Sequence, residues 1–361
     1  MSPSDGPAGS HAPVPRTVRR RLPDALPAHV AFVTLLFAAG LFGALRRLSR
    51  LAAGVTDLHP DVRLVWYDLA REVAAGTPLY TGAAVDNKPP LFELLNVGAY
   101  LTGEYVLVLL LVVGLANGVA AVLLWRTLAA RGHPRVGALG ALLFLLVLPL
   151  VDGVVVNVRS LAVAGLLFAF ATRSPVARGV GVAGAVLCSQ HAAFVLPVVA
   201  YDGYVRAGRS RRWLARFVGS GGAVAALVYG AVLAVWGWPS LAGALHASVG
   251  RTAPYLLSYG PSVFVSTGTW WRTILRTHLQ IGVVLVLAVW GLGRVLVALR
   301  RPAGAWREWG TPHLLVALLV TSSLPLVVRP FVTYWVYPLP AIAVLAAFGA
   351  DAVLTGAREL G

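Results

Sequence analysis

The chain has 361 residues, of which 58% are hydrophobic and only 12% are charged. Soluble domains carry roughly 25% charged residues, so this composition excludes an ordinary water-soluble fold. In a soluble protein the formal net charge of +16 would suggest nucleic acid as a partner. Here the arginines cluster in short loops between apolar runs, as in multi-pass membrane proteins, and we expect no nucleic-acid partner. The runs are too continuous for the alternating strands of an outer-membrane barrel.

The apolar runs predict an all-α, polytopic transmembrane bundle of about ten helices. Residues 28–361 form a single membrane domain in this prediction. Residues 1–27 are rich in proline and arginine and predict a disordered cytoplasmic tail. The predicted spans are 28–45, 105–125, 136–151, 154–171, two short helices within 179–201, 217–236, 279–299, 312–328 and 333–355.

The run 179–201 allows two interpretations, because it is long enough to cross once but is flanked by two basic loops. One crossing would place those loops on opposite sides of the membrane. Two short helices that meet near Ser189, Gln190 and His191 would place both loops inside, as the positive-inside bias predicts. We favour the two helices, which put both chain termini in the cytoplasm. Three arginines then fall outside, after the first span: Arg46, Arg47 and Arg50.

Half of the 14 acidic residues lie within residues 57–104. They fall in a first outer loop (46–90) and in the short apolar stretch (91–102) that follows it. A transporter, in contrast, tends to have its ionisable residues near the membrane midplane. A second outer segment, 237–276, is rich in tyrosine and tryptophan. The acidic residues of the first region are Asp57, Asp61, Asp68, Glu72, Asp86, Glu93 and Glu104.

Residues 61–75 predict an amphipathic helix on the membrane surface. Apolar residues recur at helical spacing on one side, and charged residues occupy the other. The helix is too short to span, so we expect its apolar stripe against lipid or the bundle and its carboxylates toward water. Gly76 and Pro78 predict its end. The stripe consists of Val62, Val65, Trp66, Leu69 and Val73.

Lys88 is the only lysine among the 30 basic residues of the chain. It follows Asp86 by two residues and directly precedes Pro89 and Pro90. Proline disfavours helix in the residue before it and is tolerated in a helix's first turn, which predicts an extended Lys88 just before a helix. An ammonium group at the outer surface there either binds a lipid phosphate or simply snorkels to the interface.

These features resemble the first outer loop of the GT-C superfamily. Its members are membrane glycosyltransferases that use polyprenyl-phosphate sugars, and they include protein mannosyltransferases and the aminoarabinose transferases of lipid A. The resemblance rests on DVRLVWYDLARE (61–72), GTPLY (76–80) and DNKPPLF (86–92). The late segment 329–340 is similar to the family's aromatic and proline-rich outer edge. The region 152–159 aligns loosely with the place where the family often has a second acidic residue.

The resemblance implies transfer of a sugar from a polyprenyl phosphate to an acceptor hydroxyl on the outer face, with inversion. Asp61 matches the family's first-loop aspartate and would be the general base, with Asp57 and Asp68 as alternatives. Lys88 matches the family's cation for the donor phosphate. The further candidates are Asp86, Arg159 and Arg329 for the phosphate, and Tyr80, Gln190, His191 and Tyr334 for the substrate.

The expected partners are a polyprenyl-phosphate sugar donor, a lipid, glycan or protein acceptor, and membrane lipids. No metal constellation is evident and no cofactor is expected, although the spacing of Asp57 and Asp61 leaves a divalent ion open. Two other functions stay open. A transporter or flippase for a lipid-linked or anionic solute would use polar residues near mid-bilayer, such as Asn117 or Ser189. A family member that has lost catalysis would serve as an assembly partner.

Overall fold

The computed structural model describes residues 25–84, 86–250, 267–299, 310–328 and 331–359. Within these residues the chain is helical and has no strand. Five helices in the described part are long and apolar enough to cross a membrane, which is compatible with a multi-pass membrane protein. They cover Ala28–Ala52, Tyr105–Ala129, Pro134–Val151, Arg211–Gly250 and Gly282–Leu299.

Thirteen α-helices, α1 to α13, follow one another in the described ranges. They are Ala25–Ala52, Tyr67–Ala74, Pro90–Leu101, Tyr105–Ala129, Pro134–Val147, Val158–Ala171, Pro175–Cys188, Leu196–Arg206, Arg211–Leu245, Thr267–Gln280, Gly282–Leu299, Thr311–Val328 and Leu339–Glu359. Short π-helical turns cover Val62–Trp66 and His246–Gly250, and 3₁₀ turns cover Leu148–Val151, Gln190–Val195 and Val332–Val336.

One end of the bundle gathers arginine-rich connections, and we name it the arginine end (residues 130–133, 172–178 and 202–212). Arg131, between α4 and α5, binds Asp202 of α8 with an N–O distance of 2.8 Å. Arg178, in the first turns of α7, binds the same carboxylate at 3.1 Å. All three side chains are almost completely buried.

Both ends of the described chain lie near the arginine end. His29 of α1 stacks on Trp125 of α4 with ring centres 5.6 Å apart. His133 contacts Phe348 of α13 edge-on at 5.2 Å. The start of α1 and the second half of α13 therefore lie on the same side of the bundle as the arginine-rich connections.

Helices α7 and α8 form an antiparallel hairpin, which confirms the prediction of two short helices within 179–201. Arg178, in the first turns of α7, binds Asp202 in the second half of α8 at 3.1 Å, so the two helices run in opposite directions. The turn Gln190–Val195 joins the two helices at the opposite end of the bundle. Helices of 14 and 11 residues span roughly 21 and 17 Å at 1.5 Å per residue, each less than the ~30 Å hydrocarbon core of a bilayer.

The tip of this hairpin meets the first polar loop at what we name the polar end (residues 53–84, 86–104, 148–157, 189–195 and 332–337). The Gln190 amide donates to the backbone oxygen of Asn87 at 2.8 Å. The Tyr337 hydroxyl donates to Ser189 Oγ at 2.6 Å. Segments far apart in sequence are therefore joined at one level of the bundle.

Several helix limits differ from the sequence prediction. Helix α1 continues to Ala52, so Arg46, Arg47 and Arg50 lie in its last turns, where cations interact favourably with the free carbonyl groups. Helix α6 begins at Val158 rather than 154, because the side chain of Asn157 caps it by accepting from Ser160 N at 2.9 Å.

Helices also extend into the expected tail and into the second outer segment. Residues 1–24 of the expected tail lie outside the described residues, but Ala25–Pro27 already belong to α1. In the second outer segment, α9 continues to Leu245 across a break at Gly237, where φ is 79° ahead of Pro239. Helix α10 then covers Thr267–Gln280, so part of that segment is helical.

Candidate functional site

Lys88 lies in the connection directly before α3. Pro89 has φ −65° and ψ 158°, and α3 begins at Pro90, as the two prolines predict. The ammonium nitrogen is 3.2 Å from Asp86 Oδ1 and 2.7 Å from Asn87 Oδ1, and the side chain is 12% exposed. Burial alone would lower the pKa of Lys88, but the carboxylates of Asp86 and Asp61 outweigh it and raise the pKa. The ammonium group therefore stays charged.

Asp86 is anchored by the amphipathic segment in front of it. The indole nitrogen of Trp66 donates to Asp86 Oδ2 at 2.6 Å, and the backbone N–H of Asn87 donates to Oδ1 at 2.6 Å. Trp66 is 1% exposed and packs edge-on against Phe92 of α3 at 4.7 Å. The apolar stripe of residues 61–75 thus packs against the protein at Trp66 and fixes the acid that holds Lys88.

Tyr80 holds the backbone of Lys88 from the other side. Its hydroxyl donates to the Lys88 carbonyl oxygen at 2.8 Å, and its own backbone is left-handed, with φ 66°. Burial first, and then the charges of Glu93 and Asp86, raise the pKa of Tyr80 well above its ordinary value. Its hydroxyl therefore stays protonated and available as a donor. Contact between Tyr80 and a substrate stays a prediction.

Arg159 brings a second cation to the polar end. It occupies the first turn of α6 and is 6% exposed. Its guanidinium carbon lies 4.3 Å from the ring centre of Tyr334, while Nη1 is buried with no hydrogen-bond partner among the described residues. The charges of Asp61 and Lys88 act on it. A buried donor of this kind is costly when unpaired, so the position is suited to an anionic ligand.

The hairpin tip supplies polar and aromatic groups to the same cluster. His191 is 6% exposed and packs edge-on against Tyr334 at 5.1 Å. Gln190 is bound to the Asn87 backbone, as described above. The structure therefore brings together seven of the predicted site residues around the connection before α3: Lys88, Asp86, Tyr80, Arg159, Gln190, His191 and Tyr334.

Asp61 lies at the start of the turn Val62–Trp66, and its side chain is 41% exposed. Its backbone N–H donates to His59 Nδ1 at 3.3 Å, and its Oδ2 is 3.7 Å from the same nitrogen. Burial lowers the pKa of His59, against the opposing charge of Asp61, so His59 is neutral near pH 7. Asp61 is close enough for its charge to act on Lys88 and Arg159, which places it at the edge of the cluster.

The two alternative bases have other surroundings. Asp57 is exposed, and its backbone oxygen accepts from Arg47 at 2.6 Å. Asp68 is paired with Arg71 at 2.9 Å on the surface of α2. In the described part of the chain neither carboxylate contacts Lys88 or Arg159. Arg329, the remaining phosphate candidate, lies outside the described residues.

A buried polar network behind Lys88 was not predicted from the sequence. The Asn96 amide donates to the Trp66 carbonyl oxygen at 2.8 Å and to Glu93 Oε2 at 3.3 Å, and Tyr105 donates to Asn96 Oδ1 at 2.5 Å. Glu93 and Asn96 are both 0% exposed. A glutamate three residues before an asparagine, in the otherwise apolar sequence PLFELLNV (90–97), is the signal that marks such a face.

The region 152–159, which aligns loosely with the family's second acidic site, contributes Arg159 to the cluster around Lys88 but not Asp152. Asp152 is exposed in a left-handed turn with φ 54°. The Asn157 amide donates to the Val155 carbonyl oxygen at 2.8 Å, so both ends of its side chain serve the local fold. Only Arg159 of these three contacts the described cluster, through Tyr334.

Within the described ranges, no three His, Cys, Asp or Glu residues lie together in a way that could hold a metal ion. A cleft of about 280 Å³ lies near the arginine end, between α5 and α13, and contains none of the predicted site residues. No protein-family model matches the chain, and no curated protein matches it. The function is therefore inferred from the chemistry of the cluster around Lys88.

Proposed function

We propose that the protein is an integral-membrane glycosyltransferase that transfers a sugar from a polyprenyl phosphate to an acceptor hydroxyl. The observation that carries the proposal is the buried, unpaired Nη1 of Arg159 in the same cluster as Lys88 and Asp61. Two cations beside a partly exposed carboxylate supply what this reaction requires. The cations bind the phosphate, and the carboxylate takes a proton.

The phosphate of the donor binds Arg159 and Lys88. No described residue binds Nη1 of Arg159, so a phosphate oxygen would satisfy this nitrogen without displacing a described partner from it. The ammonium of Lys88 is shared with Asp86 and Asn87, which hold it in place. Both positive charges stabilise the charge that develops on the phosphate as it leaves.

In the transfer step, one bond to the anomeric carbon of the sugar forms and another bond to the same carbon breaks. The acceptor oxygen attacks this carbon, the bond from it to the phosphate oxygen breaks, and its electron pair leaves with the polyprenyl phosphate. Attack from the side opposite the phosphate inverts the configuration. The hydroxyl proton moves to the carboxylate of Asp61, whose 41% exposure leaves it open to an acceptor.

We further propose that the polar end faces the outside of the cell. The arginine end carries buried and exposed arginines in short connections, which favours the cytoplasmic side. Both termini are then cytoplasmic, and the cluster lies at the outer boundary of the bilayer. The donor's polyprenyl chain would lie among membrane lipids, and a lipid, glycan or protein acceptor would approach from the aqueous side.

The test is sugar transfer from radiolabelled polyprenyl-phosphate sugars by purified wild type and purified Asp61→Asn, each reconstituted in vesicles of the same lipid composition. We expect Asp61→Asn to lose at least about 100-fold in turnover, because general-base help contributes roughly 10²–10⁴-fold. Asp68→Asn is the matched control, since Asp68 is paired with Arg71 away from the cluster, and it should retain turnover.

Undiminished turnover of Asp61→Asn would remove Asp61 as the base. If the wild-type protein transferred no sugar but moved the lipid-linked donor between the leaflets of vesicles, the transporter interpretation would replace the transferase. Of the polar groups that interpretation would need, Ser189 accepts from Tyr337. The Asn117 amide nitrogen donates to the Gly153 carbonyl oxygen at 3.0 Å, while its Oδ1 has no partner among the described residues.

A further inference from the structure

Glu93 and Asp86 place two carboxyl groups against each other directly behind Lys88. The Glu93 side chain lies within hydrogen-bonding reach of Asp86 and is 0% exposed. Two buried carboxylates in contact cannot both be ionised at low cost, so one of the pair keeps a proton. Helix α3 is not among the candidate membrane spans, and the pair lies in the segment that shapes the polar end.

The hydrogen bonds decide which of the two acids keeps the proton. Asp86 accepts from Trp66 Nε1, from Asn87 N and from the Lys88 ammonium. Glu93 accepts only from Asn96 on Oε2, at 3.3 Å, and its Oε1 is buried with no donor in the described part of the chain. Donors favour the ionised form of a carboxyl group, so Asp86 is the carboxylate and Glu93 is the acid.

The other groups around Glu93 agree with this assignment. Burial first, and then the charge of Asp86, raise the pKa of Glu93 well above its ordinary value of 4.5, although Lys88 and the Asn96 amide oppose the shift. Tyr80 and Tyr105 also face Glu93. Burial and then the charge of Glu93 raise the pKa of the Tyr80 phenol, so it stays neutral and Lys88 is the compensating cation.

We propose that Glu93 is held as the neutral acid and that its proton keeps the Lys88–Arg159 site able to bind an anion. With Glu93 neutral, the positive charges of Lys88 and Arg159 balance the negative charges of Asp86 and Asp61. Ionised Glu93 would leave the site with one excess negative charge, which would repel a phosphate. The Glu93 hydroxyl would also donate to Asp86, which holds the carboxylate between Trp66 and Lys88.

Glu93 is thus a positioning residue, and its role in donor binding rests on the proposed function. Glu93→Gln mimics the neutral acid in size and can still donate a hydrogen bond to Asp86. We expect it to fold and its affinity for the donor to be independent of pH. Glu93→Ala removes the donor and leaves a cavity, and we expect weaker binding at every pH.

The first measurement is independent of sugar transfer. Infrared difference spectra of the purified protein should contain a protonated-carboxyl band at neutral pH, which disappears in Glu93→Gln and persists in Glu104→Gln. Glu104 is the matched control because it is exposed. If the protonated-carboxyl band did not disappear in Glu93→Gln, Glu93 would be ionised in the wild type. That result would overturn the proposal whatever the protein catalyses.

The second measurement is the pH dependence of the dissociation constant for polyprenyl-phosphate mannose, whose phosphodiester keeps one charge. For wild type we expect this constant to rise as pH increases through the pKa of Glu93, by up to about tenfold per pH unit. For Glu93→Gln the rise should be absent. Parallel pH profiles of the two proteins would overturn the role in binding. If wild type bound no donor at any pH, the proposed function would fail, while the infrared band would still decide where the proton lies.

Discussion

Lys88 carries its positive charge in a narrow position. The ammonium nitrogen contacts one oxygen each of Asp86 and Asn87 and lies 5.7 Å from the ring centre of Trp66. An ammonium is a compact point charge, whereas a guanidinium is a broad planar fork. The solitary lysine of this arginine-rich chain therefore occupies a position where the two cations are not equivalent.

Lys88→Arg tests this position directly. We expect the KM for the donor to rise by at least about tenfold, or ~1.4 kcal/mol, because the larger fork cannot occupy the same space between Asp86, Asn87 and Trp66. Steady-state transfer kinetics measure the change. Arg71→Lys is the control, since Arg71 is 57% exposed and lies away from the cluster. Unchanged kinetics in Lys88→Arg would mean that the solitary lysine reflects composition only.

The hairpin of α7 and α8 connects the two ends of the bundle. Asp202 binds Arg131 and Arg178 at the arginine end, and the tip binds Asn87 and Tyr337 at the polar end. The ion cluster therefore holds the base of the element whose tip borders the candidate site. The basic loops on either side of residues 179–201 predicted the two helices, but not that Asp202 would bind both arginines.

Asp202→Asn should destabilise the protein strongly, because it leaves two buried guanidinium groups without their carboxylate. Removal of one partner of a buried ion pair costs about 3 to 5 kcal/mol. Thermal unfolding in detergent measures the loss. Asp68→Asn breaks an ion pair on the surface and should cost less than about 1 kcal/mol. Equal effects of the two substitutions would contradict the account of the Asp202 cluster.

The whole molecule separates its chemistry from its arginine-rich connections. The candidate site lies at the polar end, and the start of α1 and the second half of α13 lie near the arginine end. This arrangement agrees with the sequence prediction that both termini are cytoplasmic and the site is external, and the membrane orientation itself stays a prediction.

Cysteine labelling in intact cells tests the orientation. Cys188 is the only native cysteine, so Cys188→Ala supplies a background without reactive thiols. In that background a membrane-impermeant maleimide should label Val55→Cys, which is 63% exposed at the polar end. It should label Ala130→Cys, which is exposed at the arginine end, only after the cells are permeabilised. The reverse pattern would place the candidate site in the cytoplasm.

The sequence was sufficient for the local features of the chain. Composition and the apolar runs predicted the helical class, and the two prolines after Lys88 predicted the start of a helix there. These features depend on neighbours a few residues away, so they can be inferred without knowledge of the tertiary contacts.

Only the tertiary structure decided which side chains meet. Gln190 and Asn87 are 103 residues apart, and Tyr337 and Ser189 are 148 apart. Periodicity shows which face of a helix is apolar, but not which helix covers that face or how the two are rotated. For the same reason the sequence does not distinguish Glu93 from the six other acidic residues between 57 and 104. Its burial against Asp86, which sets its charge, arises only when α3 packs beside the Trp66 segment.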